Sequence, residues 1–243
     1  MRSVVLRRDE VEDFAEYPFS IPAIQQLDDL PLDPKVTLFA GENGSGKSTL
    51  VEGIAVAAGF NAEGGSRNMR VSTRPSHSPL HRHLRLVRGV RSPKNGYFLR
   101  AESFFNVATH IEELDAGPGK RAVIDSYGGR SLHEQSHGES FLSLVLNRFS
   151  PDGFYVLDEP EAALSLRGNL ALMRRMHDLV RQGSQFVVAT HSPILLGFPE
   201  ARIYVLSETG IDSTPYEETE QYDLTRSFLD DRERFLHHLF SDE

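Results

Sequence analysis

The stretch Gly41-Glu42-Asn43-Gly44-Ser45-Gly46-Lys47-Ser48-Thr49 decides the fold. It satisfies the Gly-x-x-x-x-Gly-Lys-Ser/Thr pattern of a phosphate-binding loop, and its flanks have the form such a loop needs. Lys35-Val36-Thr37-Leu38-Phe39-Ala40 is short, apolar and β-prone, which predicts a buried strand running into the loop. Leu50, Ile54, Ala57 and Ala58 follow at helical spacing, and Gly59 predicts the helix stop. A strand, a Gly-rich turn and a helix N-terminus in succession point backbone N–H groups inward around a polyphosphate, where larger side chains would block the approach. Lys47 is placed to reach the β- and γ-phosphates, and the Ser48 hydroxyl to hold Mg²⁺.

Moving outward, the 243 residues suffice for one large α/β domain with a sizeable core. Apolar residues make up 39% and charged residues 25%, which excludes a disordered chain. There is no cysteine, so a disulfide framework and thiolate metal sites are excluded, and a cytoplasmic location is expected. Arg2, Arg7, Arg8 and Asp9 interrupt any signal-peptide core, and no apolar run approaches a membrane span. The net charge of −9 is uneven. Residues 64–101 hold nine Arg or Lys and no acid, so the rest of the chain is far more acidic than the whole.

In chain order, residues 3–7 predict a first strand, and 9–34, with four prolines, an extended connection with turns. Residues 59–96 hold Gly64-Gly65, three prolines and most of the basic run, and predict a loop or arm leaving the domain. Beyond it, 97–100 read as a strand and 103–114 as a helix. Gly117-Pro118-Gly119 breaks the chain, and 139–148 form a buried helix. Strand, helix, strand and strand follow at 154–157, 166–181, 185–189 and 202–206. A helix over 224–240 lies in an acidic tail from 207 to 243. Strands alternating with helices predict a single α/β domain over 1–243 with a mainly parallel core sheet.

Three further stretches carry chemistry. Phe154-Tyr155-Val156-Leu157-Asp158-Glu159 is an apolar strand ending in two carboxylates. Beside a phosphate loop, Asp158 can hold the metal through water and Glu159 can act as general base on the attacking water. His191, after the strand 185–189, can donate a hydrogen bond to a γ-phosphate. Ser136 and Gly138, ahead of the buried helix, offer an anion site of hydroxyl and backbone N–H, or an ordinary helix cap.

The order of phosphate loop, Ser136-His137-Gly138-Glu139, apolar strand with Asp158-Glu159, and Thr190-His191 resembles an ABC-type ATPase from about residue 3 to 206. Phe98-Leu99-Arg100-Ala101-Glu102-Ser103-Phe104-Phe105 and the tail around Tyr216-Glu217-Glu218-Thr219 are similar to the small stand-alone predicted ATPases of that superfamily. These are distantly similar to chromosome-maintenance and repair ATPases. The resemblance implies a P-loop NTPase fold with an antiparallel β edge and a helical signature subdomain over 103–150. It implies ATP and Mg²⁺ as ligands, and head-to-tail homodimers with ATP between the subunits. It assigns phosphate and Mg²⁺ binding to Asn43, Gly44, Ser45, Gly46, Lys47, Ser48 and Thr49. Ser136, Gly138 and Glu139 become the signature that caps the partner's γ-phosphate. Asp158 and Glu159 become the metal and base pair, Ala163-Leu164-Ser165 the loop communicating across the dimer, and His191 the switch histidine. Two departures stand out. The signature reads Gln135-Ser136-His137-Gly138-Glu139, unlike the Leu-Ser-Gly-Gly-Gln of transporters. Glu102 stands where a metal-approaching glutamine is expected.

Arg67, Arg70, Arg74, Arg82, Arg85, Arg88, Arg91, Lys94 and Arg100 form a basic window over 67–100. Clustered positive charge captures nucleic-acid phosphates without sequence choice, although pairing with the acidic remainder or with ATP would also use it. The expected activity is ATP hydrolysis driving a molecular switch in nucleic-acid maintenance or defence. The alternatives are a transporter's nucleotide-binding subunit and a regulatory ATPase gating a separate effector protein.

Overall fold

In the computed structural model, which describes residues 1–67, 78–90, 92–102, 104, 109 and 136–241, the strand entering the phosphate loop lies inside a six-stranded sheet. This strand, β3 (Val36–Gly41), is flanked by β7 (Gln185–Ala189) and β8 (Arg202–Ser207). Beyond β7 lie β6 (Gly153–Asp158) and then β5 (Asn95–Arg100), while β9 (Gly210–Ser213) closes the other edge. Every neighbouring pair is parallel except β8 with β9. A second, antiparallel sheet orders β2 (Asp29–Pro31), β1 (Ser3–Leu6) and β4 (Leu84–Val87).

The large sheet is buried on both faces, and the two-residue side-chain period sorts its residues between them. Val36, Leu38, Tyr155 and Leu157 face one layer, while Phe39, Phe154 and Val156 face the other. The first layer is covered by α3 (His137–Arg148) and α4 (Leu166–Val180), through Phe141, Leu144, Leu172 and Leu179. The second is covered by α2 (Lys47–Ala57), through Leu50, Val51 and Ile54, and by the small sheet through Val4, Leu6 and Leu84. Truncating a leucine or isoleucine so enclosed costs about 2–5 kcal/mol. Among the described residues, no helix is long and apolar enough to cross a membrane.

The structure departs from the sequence expectations in three places. Residues 9–34 are not merely extended: α1 (Pro22–Gln25) and β2 form there, and Phe19, Ala23, Ile24 and Leu27 are buried. The described part of 59–96 does not leave the domain. Gly65 pairs with Phe98, β4 joins β1, and Leu80 and Leu84 lie so close to α2 that a Cβ at Gly53 would come within 3.1 Å of both. The tail is not one helix. Asp231 interrupts it between α6 (Glu220–Asp230) and α7 (Arg232–Phe240), and its carboxylate accepts from the Arg234 amide at 3.0 Å. One short helix, α5 (Pro193–Leu196), follows β7. The expected helix over 103–114, apart from Phe104 and Thr109, lies outside the described residues, as do Arg70, Arg74, Arg91 and the glycine-rich 117–129.

Candidate nucleotide-binding site

Parallel strands end at one edge of a sheet, so β5, β6, β7 and β3 deliver their C-terminal residues to the same place. The register sets Arg100 beside Asp158, Asp158 beside Ala189, and Ala189 beside Phe39. The phosphate loop, the two carboxylates and His191 emerge just past that row.

The loop turns out of β3 at Gly41, whose φ is +138° and where a Cβ would come 2.3 Å from the Leu206 carbonyl. Gly46, at φ +97°, has Ile21 at 2.7 Å from any added Cβ. Helix α2 starts directly behind it with no side chain capping its N-terminus, so its first N–H groups are left for an anion. Lys47 is buried, and its Nζ donates to the carbonyls of Gly41 at 2.9 Å and Glu42 at 2.7 Å. Burial lowers its pKa, while Glu159, Asp158 and Glu161 pull it back up. A cleft of about 580 Å³ opens over Gly41–Ser45 and is walled by Pro22, Leu206–Thr209 and Glu220. Tyr17 reaches Thr49, hydroxyl to hydroxyl, at 3.3 Å.

Asp158 ends β6 in a buried position, near enough to the Ser48 hydroxyl for it to favour the carboxylate. Its Oδ2 lies 3.4 Å from Arg100 Nε, and its Oδ1 has no hydrogen-bond partner. Burial pushes its pKa up from 3.8 to about 6, against the opposing pull of Arg100 and Ser48. These groups fit Mg²⁺, a hard cation bound through one or two protein oxygens together with phosphates and water. A buried carboxylate oxygen without a partner stands beside a hydroxyl at the phosphate loop. Among the described residues no three His, Asp or Glu groups converge into an all-protein cage.

Glu159 adopts a left-handed conformation with φ +47°, and its N–H donates to Ala189 at 3.0 Å. Such a backbone at a non-glycine residue costs of order 1–3 kcal/mol. Its effect is to direct Glu159 toward the neighbouring strand tip, where Oε1 lies 3.4 Å from His191 Nε2. His191 is anchored by its own amide, which donates to the Glu161 carboxylate, and by Thr190, whose N–H donates to Phe39 at 3.0 Å.

The remaining expected site residues sit further out. Ser136 and Glu139 form a capping box at the exposed N-terminus of α3, with Ser136 Oγ donating to Glu139 at 2.7 Å. A Cβ on Gly138 would come 3.1 Å from the Ala163 carbonyl, so the signature stretch abuts the loop carrying Ala163, Leu164 and Ser165. Glu102 is 88% exposed, with Arg100 Nη2 at 3.7 Å. Within the basic window, Arg82, Arg85 and Arg88 are exposed, whereas Lys94 pairs with Asp152 at 2.6 Å and Arg67 lies over the Phe60 ring. Arg100 does not belong to that surface: only 19% exposed, it pairs with Glu52 at 2.6 Å inside the site. Arg100, Glu52 and Glu161 are the site residues that sequence reading missed. Glu52 carried a usable signal, since four residues after Ser48 it shares that residue's helix face.

A phosphate loop on a central strand, an acidic pair two strands away and a histidine on the strand between them are arranged as the resemblance to an ABC-type ATPase implies. A family model described as an AAA domain matches residues 14–97. An Agrobacterium fabrum protein described as a ribose/galactose/methyl galactoside import ATP-binding protein is 29% identical over 196 residues, covering 70% of this chain and 36% of its own length. The chromosome partition protein Smc of Methanocaldococcus jannaschii is 27% identical over 154 residues, covering 54% of this chain and 13% of its own. The chain thus spans little more than a third of the curated relatives it first matches. Among solved structures, cbiO1 of Clostridium perfringens, part of the ABC transporter complex cbiONQ, aligns with a TM-score of 0.49 at 16% identity. The alignment covers 88% of this chain and 90% of that one.

Proposed function

We propose that this domain binds ATP with Mg²⁺, hydrolyses it, and closes head to tail into a homodimer while ATP lasts, as a cytoplasmic switch in nucleic-acid maintenance or defence. The observation that carries this reading is the convergence of Lys47, the Ser48–Asp158 pair and the Glu159–His191 pair at one sheet edge. Loop N–H groups from Asn43 to Thr49 and the Lys47 ammonium bind the β- and γ-phosphates. Ser48 and Asp158 hold Mg²⁺, with Glu102 at the next strand end as a further oxygen donor. A metal held there would supply charge neutralisation at the phosphate oxygens. Glu159 orients the attacking water and takes its proton, and His191 donates to the γ-phosphate. Ser136, Gly138 and Glu139 of the second copy complete the site. The exposed Arg82, Arg85 and Arg88 favour a nucleic-acid backbone as partner, and any further catalytic activity would reside in a separate effector protein.

The import ATP-binding relative favours a second reading, a transporter's nucleotide-binding subunit. Copurification with a membrane subunit would select it.

The test is Glu159→Gln, which is nearly isosteric and leaves Asp158 in place. Hydrolysis should fall by about a hundredfold or more. Because ATP binds only the closed form, the variant should elute as a dimer in Mg-ATP and a monomer in ADP. Adding Ser136→Arg should restore the monomer. A Glu159→Gln protein that light scattering shows monomeric in saturating Mg-ATP would exclude the sandwich.

A further inference from the structure

We propose that Arg100 is a positioning residue for the metal-holding carboxylate: clamped to Glu52 on α2, its guanidinium fixes the orientation in which Asp158 meets Mg²⁺. The inference rests on the nucleotide reading above. Glu52 is itself held at both oxygens. Oε1 accepts from the Ser78 amide at 2.9 Å, and Oε2 from Arg100 Nη1 at 2.6 Å. The guanidinium is therefore anchored to the phosphate-loop helix, one turn beyond Ser48. From that anchor its Nε lies 3.4 Å from Asp158 Oδ2, and its Nη2 reaches toward Glu102. Strand pairing sets the Arg100 and Asp158 backbones side by side, so the contact is built into the sheet. The contact with Oδ2 is an ion pair without a formal hydrogen bond, since Arg100 Nε and Asp158 Oδ1 are both buried without hydrogen-bond partners, so the guanidinium plane faces the carboxylate while Oδ1 stays open. A planar fork can hold Glu52 and Asp158 at once in fixed geometry, which a lysine ammonium cannot.

A merely structural role would require only that the positive charge balance two buried carboxylates. Two variants of the full chain separate the roles. Arg100→Lys keeps the charge and loses the fork. Arg100→Met with Glu52→Gln removes one charge of each sign and leaves the balance unchanged. Mn²⁺ binding to the ADP complex is followed by electron paramagnetic resonance, with ATP affinity in EDTA as the internal control. Outer-shell support of a metal ligand is worth about 10–100-fold in affinity, so both variants should bind Mn²⁺ at least tenfold more weakly while metal-free ATP affinity holds within about twofold. Unchanged Mn²⁺ affinity in either folded variant overturns the proposal, and if the double variant does not fold, Arg100→Lys decides. Equal losses of metal-free ATP and Mn²⁺ binding also overturn it, because Arg100 would then support the loop as a whole. Wild-type protein that fails to bind ATP in EDTA would instead bring down the nucleotide reading beneath it.

Discussion

Replacing Asp158 with asparagine should stabilise the metal-free protein. Asp158 is 5% exposed, and burial is the leading cause that raises its pKa from 3.8 to about 6. For an acid whose folded pKa is raised, the stability contribution is fully present below the unfolded value and is lost as pH rises through the folded one. At pH 7.5 the difference amounts to about 3 kcal/mol of instability in the metal-free protein. Asparagine removes the charge at nearly the same volume, and weakening the contacts with Ser48 and Arg100 returns about 1 kcal/mol. The net gain is about 1–3 kcal/mol, or roughly 2–6 °C in Tm for a chain of this length. Thermal unfolding in EDTA measures it. At pH 5 the wild-type carboxyl is largely protonated when folded, so the burial cost falls by about half and the advantage of Asp158→Asn by about two-thirds. With Mg-ATP added, the wild type should gain more stability than the variant and close the gap. A variant destabilised equally at both pH values would refute the argument and make Asp158 a structural hydrogen-bonding group.

Lys47→Ala should abolish nucleotide-dependent behaviour, because the ammonium that donates to the loop carbonyls of Gly41 and Glu42 is lost; retained ATP affinity by calorimetry would overturn the loop assignment. Charge reversal at Arg82, Arg85 and Arg88 should weaken duplex binding and flatten its salt dependence, lowering the slope by about 0.9 for each lost phosphate contact. If the wild type shows no salt-sensitive binding, nucleic acid is not the partner. Leu84→Ala should cost about 2–5 kcal/mol in chemical denaturation, since Leu84 is buried against α2, whereas an arm outside the domain would give almost none.

The phosphate loop, the Asp158-Glu159 strand and the Thr190-His191 tip were legible in the chain because each is a local device. A glycine at a positive φ, an apolar run ending in acids, and a helix start are all determined by residues a few positions apart. The mainly parallel core followed from their alternation with helical segments. Sequence could not reveal which strands pair across long separations. The β1–β4 pairing joins residues 3–6 to 84–87, so a stretch rich in proline and arginine that reads as an arm becomes part of the domain. The same limit hid Arg100. In sequence it closes a run of basic residues and looks like one more surface charge. Only the parallel register of β5 on β6, with α2 laid across that face, sets its guanidinium between Glu52 and Asp158. Charge is a property of the residue, but the partner it meets is decided by packing between segments distant in the chain.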